Sequence, residues 1–279
     1  MTNRRSFLKA AGIGLAAVSL PRLADASSSP PREQKAAPEI KLGVASYTVR
    51  EFTQEQALDM TLRCGVNRIT FKSMHLPLDS DKETINSALA LCREKGVTLY
   101  GGGVIDLKSK EQIDQAFEYA KAAGFKMIIG VPAHEMLEYV EGKVKKYDIK
   151  VAIHNHGPGD ELYPSSEIAY EKIKKMDKRL GLCIDIGHTK RINRDPEQDL
   201  KDYFDRVFDI HIKDVTAPSE EGQTCIIGRG VIDMVSFLKT VKDMNYQGTL
   251  ALEYEADQED PLPGMMESLG YVKGILATI

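Results

Sequence analysis

Four short segments gather the residues that can do chemistry: Ile153-His154-Asn155-His156-Gly157, Cys183-Ile184-Asp185-Ile186-Gly187-His188, Asp209-Ile210-His211-Ile212-Lys213-Asp214 and Leu250-Ala251-Leu252-Glu253-Tyr254-Glu255. Each is a short apolar run that ends in a His or a carboxylate. Two imidazoles and two carboxylates brought to one point suit manganese, zinc, cobalt or iron(II). Such a set is too rich in nitrogen for calcium. Side chains alternate along a strand, so His154 and His156 share a facing. Asp185 shares one with Cys183, His211 with Asp209 and Lys213, and Glu253 with Ala251 and Glu255. A lone His or Asp at a strand end is ordinarily a helix cap or a loop hydrogen-bonding residue. Four of them, closing four consecutive apolar runs, point instead to a divalent metal site.

Converging strand ends need a parallel barrel, and the chain alternates strand and helix patterns eight times. Strands are predicted at 41–46, 66–71, 97–102, 126–131, 150–154, 180–185, 207–211 and 248–253. Helices are predicted at 54–64, 82–95, 111–123, 133–147, 166–176, 196–204, 231–244 and 261–276. The strands are short and nearly all apolar, as strands buried on both faces are. Cys64-Gly65, Lys95-Gly96 and Ala123-Gly124 place a glycine where a helix ends in a left-handed residue. Gly101-Gly102-Gly103 has neither Walker nor dinucleotide spacing, so it reads as a tight turn or a close approach to a ligand. Eight units in residues 39–279 with no phosphate loop after the first strand favour a single-domain (β/α)8 TIM barrel over an open doubly wound sheet. Active sites in such barrels sit at the C-terminal strand ends, where these residues fall.

The N-terminus reads as an address. Arg4-Arg5-Ser6-Phe7-Leu8-Lys9, the apolar stretch 10–20 and Ala24-Asp25-Ala26 fit a twin-arginine signal peptide over residues 1–26. A flexible linker over 27–38 follows. The expected location is the periplasm or another exported space, and no segment is long and apolar enough to span a membrane. Residues 1–26 hold four basic residues and one acid of the chain's 37 and 41. The remainder carries 33 basic and 40 acidic residues, a formal charge of −7. An acidic chain without a basic cluster is a poor general binder of nucleic acid. Cys64, Cys92, Cys183 and Cys225 are widely spaced and read as free, buried thiols rather than a disulfide framework.

Ile184-Asp185-Ile186-Gly187-His188, His211-Ile212-Lys213-Asp214, the run Ile227 to Asp233 and the run Gly248 to Glu253 resemble the sugar phosphate isomerase/epimerase superfamily, the xylose isomerase-like barrels. The resemblance implies metal ligands at Asp185, His211 and Glu253. It places His154 on a position the family fills with Glu, with His156 as the competing ligand. It implies that His188 touches a substrate oxygen, that Arg229 reaches substrate hydroxyls or phosphate, and that Lys213 neutralises an enolate. Its chemistry is removal of a proton alpha to a carbonyl of a keto-sugar or cyclic polyol, through a metal-stabilised enediolate. Manganese heads the expected ions, with zinc, cobalt and iron(II) behind it. A small carbohydrate is the expected substrate.

The missing first carboxylate leaves Glu253 as one base and His154 or His156 as the other. A histidine base suits proton transfer near its ordinary pKa, so activity is expected to fall on acidification near pH 6 to 7. One-sided proton removal with loss of a beta substituent, a lyase or dehydratase, is the runner-up. A non-catalytic carbohydrate-binding barrel is a second class, and endonuclease-like DNA cleavage is disfavoured by charge. Lys72 and His75 follow the second strand and can line the mouth, or serve as a loop Lys and a packed His. His134 reads as a surface or capping residue, and Glu255 as a solvated or structural acid.

Overall fold

Alternating apolar runs and amphipathic stretches close here into a ring of parallel strands. The structure is a computed structural model that describes residues 40–279, so the expected signal peptide and linker lie outside the described residues. Eight strands form the barrel: β1 (Lys41–Ala45), β2 (Arg68–Phe71), β3 (Thr98–Leu107), β4 (Met127–Pro132), β5 (Lys150–His154), β6 (Leu180–Asp185), β7 (Val207–Ile212) and β10 (Thr249–Leu252). They pair in the order β1-β10-β7-β6-β5-β4-β3-β2, which returns to β1 and leaves no open edge. β4 and β6 are buried throughout, as strands covered by helices on one face and by the barrel interior on the other must be. This is the (β/α)8 TIM barrel the alternation predicts.

Most of the surrounding helices begin on side-chain caps, which absorb amide donors that have no partner in the first turn, the helices Leu137–Tyr147 and Leu262–Leu276 being the exceptions. Thr53 and Gln56 form a reciprocal capping box on α1 (Gln54–Arg63). Asp81 caps α2 (Lys82–Glu94), Ser109 caps α3 (Lys110–Ala122) and Ser165 caps α5 (Ser166–Ile173). α4 spans Leu137–Tyr147. Its predicted start at Ala133 is corrected, because His134–Met136 is a 3-10 turn that precedes it. Gly96 and Gly124 follow α2 and α3 with φ of 69° and 70°, the left-handed stop expected of them. All four cysteines are free, and Cys64, Cys92 and Cys183 are buried. Among the described residues no helix is long and apolar enough to cross a membrane.

Two more differences from the predicted elements bear on the site. β3 does not end at Gly102 but continues to Leu107, through a register shift between Gly102 and Ile105. Gly101 and Gly103 allow close approach to β4: a Cβ on Gly103 would lie 2.2 Å from the Ile129 carbonyl oxygen, and one on Gly101 3.0 Å from that of Met127. The stretch after β6 is α6 (Ile186–Arg191), a six-residue helix before α7 (Pro196–Tyr203).

Beyond β7 the chain makes a hairpin, β8 (Asp214–Val215) against β9 (Thr224–Cys225), before α8 (Met234–Asp243) and, after β10, α9 (Leu262–Leu276). Asp214 holds this excursion down. Its Oδ1 accepts from Val215 N at 2.9 Å and Ile232 N at 3.2 Å, and its Oδ2 from Gly228 N at 2.9 Å and Gly230 N at 3.1 Å. Four amides on one buried carboxylate tie the loop bearing Arg229 to the end of β7. Asp214→Asn replaces one acceptor oxygen by a donor that faces other donors. The expected cost is about 2 kcal/mol or more of unfolding free energy, read from urea denaturation. An unchanged midpoint would show that the clamp carries no stability.

Candidate metal centre

The register of four neighbouring strands sets the site. Asp185 pairs with His211 across β6 and β7, His154 pairs with Cys183 across β5 and β6, and Glu253 N donates to Ile212 O at 3.1 Å. Side chains at the C-terminal ends of these strands therefore meet. One donor atom each from His154, Asp185, His211 and Glu253 lies within 4.8 Å of all the others, and all four residues are buried. His154 Nε2 is 3.1 Å from His211 Nδ1, 3.6 Å from Asp185 Oδ2 and 3.8 Å from Glu253 Oε2; His211 Nδ1 is 3.3 Å from Glu253 Oε2. Donors about 2.0–2.2 Å from a shared tetrahedral centre stand about 3.3–3.6 Å apart. The cluster is therefore already near the dimensions of a ligand set. Asp185 Oδ2 is buried and makes no hydrogen bond, and it faces His154 Nε2 and, at 3.1 Å, the Lys213 ammonium.

Asp185 does two jobs with its two oxygens. Oδ1 accepts from His188 N at 2.7 Å and caps α6, while Oδ2 turns to the cluster. A helix cap and a ligand are thus not alternatives here. Asn155 locks the neighbouring strands: its Oδ1 accepts from Asp185 N at 2.9 Å, and its Nδ2 donates to Asp185 O and to Thr189 Oγ1. Asn155 was part of the motif, yet nothing in its type separates this bracing role from an ordinary loop amide.

Lys213 is the cation of the site. It is 1% exposed, and its Nζ lies 3.1 Å from Asp185 Oδ2, 3.1 Å from Glu253 Oε2 and 3.5 Å from His188 Nε2, and donates to Glu255. Glu255 is therefore no merely solvated acid. Its spacing two residues beyond Glu253 was the available signal, but a partner on another strand was invisible.

Electrostatics divides the histidines. Burial pushes His154 down to about 4, against the opposing pull of Asp185, and burial with the nearby Lys213 pushes His188 down to about 3. Both are neutral at working pH, so the expected acid loss near pH 6 to 7 does not belong to His154. Burial also lowers His211, but Cys183 and Glu253 outweigh it and hold His211 well above its ordinary value. The Cys183 thiol is itself pushed up to about 12 by burial and is uncharged, so the effective anion is Glu253. Burial raises Glu253 and Asp185, yet both are held well below the carboxylate range, chiefly by Lys213.

The remaining candidates separate from the cluster by degrees. His156 sits beside it, ring centroid 4.5 Å from that of His154, but its side chain is 37% exposed and its Nδ1 lies 3.3 Å from Asp160 Oδ2. It contributes no atom to the four-donor group. Arg229 is exposed and makes a two-point pair with Glu267 of α9, both contacts at 2.7 Å. His75 is buried and stacks on Phe71 with centroids 5.6 Å apart, and Lys72 Nζ lies over the Tyr47 ring. His134 Nε2 lies 3.0 Å from the Leu162 carbonyl oxygen. A cavity of about 810 Å³ lies at the opposite end of the barrel, where Arg68, Lys150 and Thr249 begin their strands. It is distant from the donor cluster in the fold.

Comparisons with known proteins agree with this architecture. The profile of a family described as xylose isomerase-like TIM barrel matches residues 54–275. Inosose dehydratase of Clostridium perfringens is 27% identical over 158 residues, 50% of this chain and 52% of that protein. The chain thus spans about half the length of the curated relatives it matches. An uncharacterised protein of Parabacteroides distasonis superposes with a TM-score of 0.67 at 25% identity, covering 84% of this chain and 98% of that one. The 3-keto-D-glucoside 4-epimerase of E. coli superposes with a TM-score of 0.70 at 16% identity, covering 85% and 100%.

Two outcomes are expected. His154→Ala should weaken divalent-ion binding on the order of a hundredfold or more, while His156→Ala keeps it within a few-fold, by calorimetric titration. The reverse order would move the ligand to His156. Because His211 is raised in the folded state, its stabilising contribution is complete below its unfolded pKa and fades as pH climbs through the folded value. An entering ion must displace that proton, so loading should release a proton and tighten with rising pH. Calorimetry in two buffers of different ionisation heat reads the release, and none would mean that His211 is already neutral.

Proposed function

The chain belongs to the xylose isomerase-like TIM barrel family, and on that premise we propose that it is a divalent-metal-dependent sugar isomerase or epimerase. It would take a proton alpha to the carbonyl of a keto-sugar or cyclic polyol. The observation that carries this reading is the buried four-donor cluster beside a buried lysine at the catalytic end of the barrel. His154, Asp185, His211 and Glu253 would hold the ion, with manganese first and zinc, cobalt or iron(II) as alternatives. Bound there, it supplies Lewis acidity to the oxygens of the substrate.

The protein groups do the proton work. Glu253 is the base: it is held ionised, and its hydrogen bond to Lys213 uses Oε2, which leaves Oε1 able to take a proton. Lys213, fixed among carboxylates, offers positive charge where negative charge develops on the enediolate oxygen. Neutral His188 can donate to or accept from a substrate hydroxyl, with its backbone fixed by the Asp185 cap. Returning the proton on the opposite face falls to His156, the partly exposed imidazole beside the cluster. Burial of His154 removes it from that role and leaves it as a ligand.

A second reading has its own observation. β5 supplies imidazole where the family resemblance implies carboxylate, so only one carboxylate base faces the substrate. One base suffices for elimination: Glu253 takes the alpha proton, the bond from the beta carbon to its oxygen breaks, and the departing oxygen takes a proton from solvent or His156. The partial match to inosose dehydratase supports this dehydratase alternative.

Incubating the ion-loaded protein with 3-keto-glucosides and inososes in deuterium oxide separates the readings. Deuterium at the alpha carbon of recovered substrate or epimer supports isomerisation, and an unsaturated ketone absorbing in the ultraviolet supports elimination. Glu253→Gln should cut either rate by about a hundredfold to ten-thousandfold. An ion-loaded protein that exchanges no proton with any of them would be a binding barrel. His154→Glu should keep the ion and speed reversible epimerisation by restoring a second carboxylate. The twin-arginine reading extends the proposal to an exported enzyme: Lys at both Arg4 and Arg5 should trap folded protein in the cytoplasm, and unimpaired export would remove that part.

A further inference from the structure

We propose that the Lys213 ammonium occupies the seat of a second divalent ion, so that the centre is built for one ion and one fixed protein cation. The inference deepens the metal-dependent reading above and rests on it for the first ion only. A second donor set lies beside the first: one atom each from His188, Glu253 and Glu255 lies within 4.8 Å of the other two. It shares Glu253 with the four-donor cluster. Imidazole, a shared carboxylate and a second carboxylate form a donor group that a transition-metal ion can use.

Lys213 Nζ stands among these very atoms. It is 3.5 Å from His188 Nε2 and 3.1 Å from Glu253 Oε2, donates to Glu255 Oε1, and lies 3.1 Å from Asp185 Oδ2. An ammonium is a compact positive charge whose surroundings resemble those of a metal ion.

The seat is built for the lysine stem. A Cβ added at Gly187 would lie 2.7 Å from Lys213 Cδ and Cγ and 3.0 Å from its Cβ. Only a residue without a side chain lets the stem pass α6 to reach the carboxylates. Charge agrees with this occupancy. Asp185, Glu253 and Glu255 carry three negative charges, which one divalent ion and one ammonium cancel. Removing the ammonium leaves one negative charge uncompensated beside four vacated contacts, and a second divalent ion would fill those contacts and carry the net charge of the group from −1 to +1.

The proposal predicts stoichiometry. Full chain stripped with chelator and reloaded with manganese should retain one ion per chain after gel filtration, measured by inductively coupled plasma mass spectrometry. Lys213→Ala should retain two, and its electron paramagnetic resonance spectrum should show two coupled manganese ions. Lys213→Arg should remain at one. Lys213→Ala with Glu255→Gln should return to one. Gly187→Ala, which displaces the stem rather than deleting the charge, is a second route to extra binding if Lys213→Ala does not fold by circular dichroism. A folded Lys213→Ala protein that holds one ion or none overturns the proposal. If the native chain binds no ion while Lys213→Ala binds one that Glu255→Gln removes, the four-donor reading falls and the lysine seat stands.

Discussion

Asp185, Glu253 and Glu255 share one end of the barrel, two of them buried, and their mutual repulsion is the constraint to which the rest of the site answers. Burying a carboxylate without a partner costs several kcal/mol, and burying two together costs more. Lys213 lies within 3.1 Å of both and donates to the third. The proton held on His211 adds a further positive group beside Glu253. Asp185 Oδ2 faces the Lys213 ammonium at 3.1 Å and His154 Nε2 at 3.6 Å. The centre is accordingly a place that favours cations, and an entering ion competes there with the proton held on His211.

Rigid backbone rather than side-chain packing keeps these charges at fixed distances. Parallel pairing sets Asp185 opposite His211 and brings Glu253 beside Ile212. Asn155 staples β5 to β6, and the start of α6 is fixed on Asp185 itself. Preorganisation of this kind matters because fixed groups need no reorientation when charge develops on the substrate. The family profile and the barrel neighbours place this arrangement on a xylose isomerase-like TIM barrel.

Much of this was legible in order along the chain. Strand ends at His154 and Asp185 are met to the residue, because each closes an uninterrupted apolar run before a polar turn. Asp185, His211 and Glu253 were nameable because a barrel sends every strand's C-terminal end to the same mouth. Longer-range facts were not legible. Ile186–Arg191 is too short for helical periodicity to show, so its cap on Asp185 went unread. Three glycines in β3 resemble a turn, although Gly101 and Gly103 lie against β4. The choice between His154 and His156 depends on which imidazole is sealed from water, a property of the closed barrel rather than of spacing. Arg229 looked like a substrate contact in its motif but finds Glu267 on a helix about forty residues later.

The clamp on Asp214 has a consequence for how such a chain can change. Lys213 and the clamp are adjacent residues, so the site cation and the root of the following excursion share one anchor. The four amide contacts bind the two ends of that excursion, at Val215 and at Gly228 to Ile232, and leave the hairpin tip between Thr216 and Gln223 outside their reach. Insertions at the tip lengthen a loop whose base is already closed, and the entropic cost of added length grows slowly. That tip is therefore the place where new sequence can be grafted to remodel the rim, while the charges beneath keep their spacing.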